Sequence, residues 1–135
     1  MNKIYLDNAA TSFPKAPGVS DSMKYYIDNI GANINRGGYS EQYKAEEIVF
    51  ETRQMLTELF NGEDSANVIF TLNITQSLNT VIKGYLKSGD HVIVTSMEHN
   101  AVMRPLVQLE KKGVEFSRVM CDEFGRLNPH DIKKA

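Results

Sequence analysis

The sequence predicts an α/β fold in which a mainly parallel sheet is flanked by helices. Three observations carry this. Between residues 68 and 120, short β-rich runs alternate with amphipathic stretches of helical length, the pattern of βαβ units. The run His91-Val92-Ile93-Val94-Thr95 is apolar through its middle, as strands buried inside parallel sheets are. Turn signals bound the runs, Asn61-Gly62 ahead of the first and Ser88-Gly89-Asp90 before the second strand. A chain of 135 residues fits one domain, and 41% hydrophobic against 24% charged residues favours a packed core over disorder.

The elements follow in order. Ile4-Tyr5-Leu6 reads as a short extended segment, and Pro14 and Pro17 punctuate what comes next. A helix is expected over residues 18–28, ending near Gly31. Residues 32–38, Ala-Asn-Ile-Asn-Arg-Gly-Gly, form a polar loop. The next helix is capped by Ser40 with Glu41 in its first turn, and Ile48, Thr52, Met55, Leu56, Leu59 and Phe60 form one buried stripe. A strand is expected at residues 68–71, a helix at 75–86 with Leu78, Val81, Ile82 and Tyr85 on one face, and a second strand at 91–95. A helix at 102–112 turns Val102, Leu106 and Leu109 inward, and a third strand covers 114–120. Asn128 caps a last helix that starts with Pro129 and has only begun at Ala135, so the chain reads as truncated.

Composition narrows the function. A net charge of −2 gives no electrostatic case for nucleic acid or an anionic membrane surface. No apolar run approaches the roughly 20 residues that span a bilayer, and the N-terminus does not read as a signal peptide. The single cysteine, Cys121, excludes an internal disulfide framework and a Cys-rich zinc site; no metal site is assigned, and a reducing cytoplasm is the simple inference.

Open parallel sheets bind ligands beyond the carboxyl ends of their strands. After the first strand comes Leu72-Asn73-Ile74-Thr75-Gln76-Ser77, running into a helix whose free amides and dipole suit an anion. On spacing alone, an ordinary N-cap by Asn73 or Thr75 is the simpler account. After the second strand comes Ser96-Met97-Glu98-His99-Asn100, where His99 can stack on a flat ring or shuttle a proton, or simply sit on a surface loop. Two polar clusters at adjacent turns point to one crevice more strongly than either does alone. Arg36, between polar and glycine residues, can hold a carboxylate with its bidentate fork; the usual case is a solvated arginine. Cys121 reads as a small buried hydrophobe, and His91 and His130 receive no role.

Four segments together resemble the NifS-like, class V aminotransferase / cysteine desulfurase family of pyridoxal-phosphate (PLP) enzymes. They are residues 4–11 (Ile-Tyr-Leu-Asp-Asn-Ala-Ala-Thr), the Arg-Gly loop within 33–40, the turn at 70–79 (Phe-Thr-Leu-Asn-Ile-Thr-Gln-Ser-Leu-Asn) and residues 95–100 (Thr-Ser-Met-Glu-His-Asn). The resemblance implies part of a fold-type I PLP-dependent transferase large domain, with residues 1–40 as arm, helix and Arg-Gly loop and 41–135 as the start of the PLP-binding α/β domain. It implies that Thr75 and the amides from Ile74 to Gln76 bind the PLP phosphate, and that His99 stacks on the ring and acts in catalysis. Asn8 and Ala9 would line the substrate side, and Arg36 would lie near the active-site entrance or a dimer interface. The implied reaction of the whole enzyme removes sulfur from L-cysteine, leaving alanine and an enzyme persulfide whose sulfur can pass to a sulfur-acceptor protein.

This sequence departs from the pattern in two ways. Asn73 and Gln76 stand where many relatives have Gly and Glu, which leaves selenocysteine lyase and other class V activities open. The family's Schiff-base lysine, the aspartate facing the pyridine nitrogen, the persulfide cysteine and the substrate-carboxylate arginine have no counterpart among these residues. None of the ten lysines, Lys83 included, sits in a matching context. The chain alone is therefore expected to be inactive, to act as a phosphate-binding module, or to need a complementary chain. Its strand at 68–71 lacks a native neighbour and is expected to drive self-association, or a homodimer.

Overall fold

A computed structural model describes residues 4–135. The backbone gathers into two compact units, one ending at Ile69 and one spanning Phe70–Ala135.

In the first unit, residues 4–17 form an irregular arm closed by its own polar groups. The Tyr5 hydroxyl reaches the carbonyls of Asp7 (3.0 Å) and Thr11 (2.8 Å), and its ring meets Phe13 edge-on at 5.5 Å. The expected extended segment at residues 4–6 pairs with no described segment as a strand. Helix α1, Val19–Asn29, follows Gly18, whose φ of 85° lies in the left-handed region that glycine adopts without penalty. It closes where expected, with Gly31 donating to the Tyr26 carbonyl at 2.8 Å. Helix α2, Ser40–Leu59, departs from expectation at its start. Tyr39 occupies the N-cap, and the Ser40 hydroxyl instead donates to the Glu41 carboxylate at 2.8 Å, which holds that carboxyl below its ordinary value.

The expected apolar stripe of α2 is not buried. Ile48, Met55, Leu59 and Phe60 are exposed, and the residues this helix does bury are Gln42 and Ala45. Helical spacing creates an apolar face; burial needs a neighbour to cover it. The stop at Asn61-Gly62 holds: Asn61 has a φ of 51°, and the Gly62 amide returns to the Thr57 carbonyl at 2.8 Å. A 3-10 turn, Ser65–Asn67, capped by Asp64, then packs against α2.

The second unit is the α/β part. Residues 68–71 form no strand, a correction with a simple cause, since a strand exists only by pairing and no described segment lies alongside. Helix α3 spans Ile74–Tyr85, strand β1 His91–Thr95, helix α4 Asn100–Glu110, strand β2 Glu115–Val119 and the short helix α5 Pro129–Ile132, capped by Asn128 as expected. Strands β1 and β2 pair in parallel, His91 opposite Glu115 through Thr95 opposite Val119. Hydrogen bonds from Ser96 to Val119 and from Glu115 to Asp90, both 2.9 Å, extend the ladder at either end.

Helix α4 covers the sheet and carries the core. Leu106, Pro105, Ala101 and Leu109 are buried with Val94, Val114 and Val119. Burying a side chain such as Leu106 is worth roughly 1.5–3 kcal/mol. The other face of β1 is open, with Ile93 40% exposed, so the strand is buried on one side where its apolar run predicted two. Helices α3 and α4 pack together, and with β1 they border an open cleft of about 260 Å³ lined by Val81, Ile82, Tyr85, Ile93, Val102 and others.

Candidate functional site

The start of α3 is built by side-chain caps. The Asn73 carboxamide oxygen accepts the Gln76 amide at 2.9 Å, and the Gln76 side chain accepts the Leu72 amide at 2.9 Å. This reciprocal pair, close to a capping box, satisfies the third amide of the helix. Thr71 and Ser77 join hydroxyl to hydroxyl at 2.5 Å, and Thr71 also donates to the Asn73 carbonyl at 3.1 Å. The ordinary cap is thus realised by Asn73. It leaves the amides of Ile74 and Thr75, which have no helical carbonyl to reach, at an exposed helix N-terminus beside the exposed Thr75 side chain. Of the three amides expected to face an anion, that of Gln76 is occupied by Asn73.

The start of α4 is built differently. Glu98 folds back on the end of β1, its Oε1 accepting from the Thr95 hydroxyl at 2.9 Å and the Thr95 amide at 3.3 Å, while the Met97 amide donates to the Thr95 hydroxyl at 3.2 Å. His99 is the N-cap residue, its Nδ1 accepting the Ala101 amide at 3.0 Å. A ring nitrogen that accepts carries no proton, so the neutral ring keeps its proton on Nε2. His99 is exposed, and its Nε2 edge remains available for other partners. In the sequence Thr95 and Glu98 stand only as members of the 95–100 motif, with no role of their own; their three-residue spacing across a strand end is the signal for this bond.

The remaining expected site residues belong to the first unit. Asn8 and Ala9 lie in the exposed turn of the arm, where the Asn8 side chain accepts the Phe13 amide at 3.1 Å. Arg36 lies exposed in the loop before α2. Thr75 and His99 therefore share one compact unit, and Asn8, Ala9 and Arg36 the other. Cys121 is half-buried at the end of β2, its amide donating to Ser96 at 3.0 Å. His91 bonds Ser117 across the strands at 2.8 Å. Lys83 is exposed in the last turn of α3. Among the described residues no cluster of metal-ligating side chains occurs, and no helix is long and apolar enough to cross a membrane.

The family model for class-V aminotransferases matches residues 4–135. The chain belongs to the aminotransferase class-V family. Within the family's curated members it is 40% identical over 138 residues to cysteine desulfurase IscS of Vibrio campbellii, covering 98% of this chain and 34% of that protein. The apo structure of a cysteine desulfurase from Thermococcus onnurineus NA1 superposes with a TM-score of 0.83 at 28% identity, over 97% of this chain and 33% of that one. A C-DES mutant with glycine covalently linked to its PLP cofactor shares the fold at 19% identity, with a TM-score of 0.55 over 76% of this chain and 26% of that one. The chain spans about a third of the length of the relatives it matches. The helix-flanked parallel sheet is thus the expected α/β fold of fold-type I PLP enzymes, in part.

Proposed function

We propose that these residues are part of a PLP-dependent cysteine desulfurase and supply the phosphate and ring-stacking half of its cofactor site. The observation that carries this is the match of the whole described chain to the class-V family, with Thr75 and His99 at the starts of two helices packed on each other. A phosphate suits the α3 N-terminus, because two amides lack helical acceptors, the Thr75 hydroxyl is at hand and the dipole favours an anion. The Ile74 and Thr75 amides would hold the phosphate, with Asn73 keeping the Gln76 amide. His99 would lie against the pyridine ring, held by its Ala101 bond and free at Nε2 to carry a proton. Asn8 and Ala9 would border the substrate, and Arg36 would stand near the active-site entrance, its fork able to hold a carboxylate there, or lie at a dimer interface. PLP when bound supplies an electron sink for a carbanion.

The proposed reaction of the whole protein moves sulfur from L-cysteine onto an enzyme cysteine as a persulfide, leaves alanine, and passes the outer sulfur to an acceptor protein; selenocysteine lyase is the alternative activity. Residues 1–40 would be the arm and Arg-Gly loop of such an enzyme, and 41–135 the start of its PLP-binding domain. A homodimer and a cytoplasmic setting, the latter in keeping with a lone thiol, belong to the same proposal. A second reading, a module that holds PLP without covalent attachment, is favoured by one observation. Lys83 lies eight residues beyond Thr75, about 12 Å along α3, at the helix's other end.

Titration with PLP tests both. Saturable binding that inorganic phosphate competes away, and that Thr75→Val weakens about tenfold, is expected. Borohydride should then trap no single lysine adduct. A specific adduct with sulfide release from cysteine would give the chain an activity of its own, and binding indifferent to phosphate would sink the phosphate-site reading.

A further inference from the structure

The loop that carries Arg36 is fastened on both sides of it. Before Arg36, Asn35 adopts a left-handed φ of 64°, uncommon for a residue with a side chain, and its amide donates to Glu46 Oε1 at 3.2 Å. After Arg36, Gly37 sits so close to α2 that a Cβ there would run into the Tyr39 ring and come 2.6 Å from Gln42 Oε1. Gln42 and Glu46 stand one turn apart on α2 and are joined, the Gln42 amide donating to Glu46 Oε1 at 2.6 Å. Glu46 Oε1 therefore accepts from the loop and from Gln42 at once.

Gln42 is 4% exposed, and its carbonyl oxygen is buried without a hydrogen-bond partner. An apolar side chain of equal length would avoid that cost. The amide is kept at this buried position despite that cost, its nitrogen spent on Glu46. Arg36, between the two fastened points, is exposed and makes no ion pair with any described residue.

We propose that Gln42 and Glu46 are positioning residues, clamping Asn35 and Gly37 so that Arg36 is held outward to receive a carboxylate. This rests on the carboxylate-facing role of Arg36 proposed above. Glutamate orients Gln42 and pins the loop amide, and the close seat of Gly37 against Gln42 fixes the loop's second half.

Two readouts on the intact chain test it. The first is hydrogen exchange at the Asn35 amide, and the second is the NMR response of the Arg36 guanidinium to acetate. Glu46→Ala, which preserves a strong helix former in α2, should speed Asn35 exchange about tenfold and weaken the acetate response. Glu46→Gln, which keeps an acceptor oxygen, should restore both in large part. Gln42→Met should leave the melting temperature unchanged or raised, yet still loosen the Asn35 amide. Unchanged Asn35 exchange in Glu46→Ala overturns the clamp. Faster exchange with an unaltered acetate response overturns the positioning role. An Arg36 that ignores acetate in the unmutated chain, with Asn35 protected, removes the carboxylate role and the proposal with it.

Discussion

At His99 the backbone and the chemistry share one imidazole. Its Nδ1 closes the first turn of α4, which leaves only Nε2 for a ligand or proton. His99→Ala should cost about 1 kcal/mol through the lost cap, read as a lower urea midpoint. His99→Asn restores an acceptor at that position and should recover most of the stability, while PLP binding falls in both variants. Equal PLP binding in wild type and His99→Asn would remove the ring from the site. Asp122 offers a pH test. Amides of Arg126 (2.8 Å) and Phe124 (2.9 Å) and the Arg126 guanidinium (2.8 Å) donate to it, and the Arg126 backbone bond leads in lowering its pKa below the ordinary 3.8. A lowered folded value means that the carboxylate's contribution is complete above the ordinary range and is lost as pH falls through the folded value. The Phe124 and Arg126 amide resonances should shift together at a pH below 3.8, and a midpoint above it would contradict the bonding seen. His99 was legible in the sequence as a chemical group but not as a cap, because histidine is not among the usual N-cap residues. The Gln42–Glu46 clamp was hidden for a different reason: its spacing is visible on α2, but its receiver, Asn35, lies eleven residues before Glu46.

Among the elements, those defined by local pattern were read well, and those that depend on a distant neighbour were not. Helices α1, α3 and α4 and strands β1 and β2 lie within two residues of expectation; α4 begins two residues early, at Asn100, because His99 caps it. The strand at residues 68–71 and the buried stripe of α2 fail together, since each has an apolar pattern with no described surface to meet. Mutation should separate the two kinds of apolar residue. Leu106→Ala, at 1% exposure, should cost about 2–5 kcal/mol by denaturant unfolding, whereas Ile48→Ala on α2, at 41%, should cost less than about 1 kcal/mol. Similar losses at both would mean that α2 is covered in solution.

For the whole molecule, the outstanding feature is apolar surface. Ile69 and Leu72, on either side of the boundary between the two units, are 72% and 91% exposed, and the two-stranded sheet presents an outer edge on each side. Such surface seeks a partner. Sedimentation velocity should show concentration-dependent association, and Ile69→Lys should reduce it; a monomer at all accessible concentrations would refute this. The family and the α/β architecture were legible because four ordered motifs and a βαβ rhythm are local properties of the chain. The grouping of the candidate site was not, since Thr75 and His99 fall in one unit and Asn8 and Arg36 in the other.

The register of the sheet also sets the order of events in time. Every residue of β1 meets a partner 24 positions later, with α4 as the only element between them. Closing so short a loop costs little entropy, and doubling it would add only about 0.6 kcal/mol. On a growing chain, this pairing needs nothing made after Val119, so the β1–α4–β2 unit can nucleate during synthesis, ahead of any partner for the rest of the apolar surface.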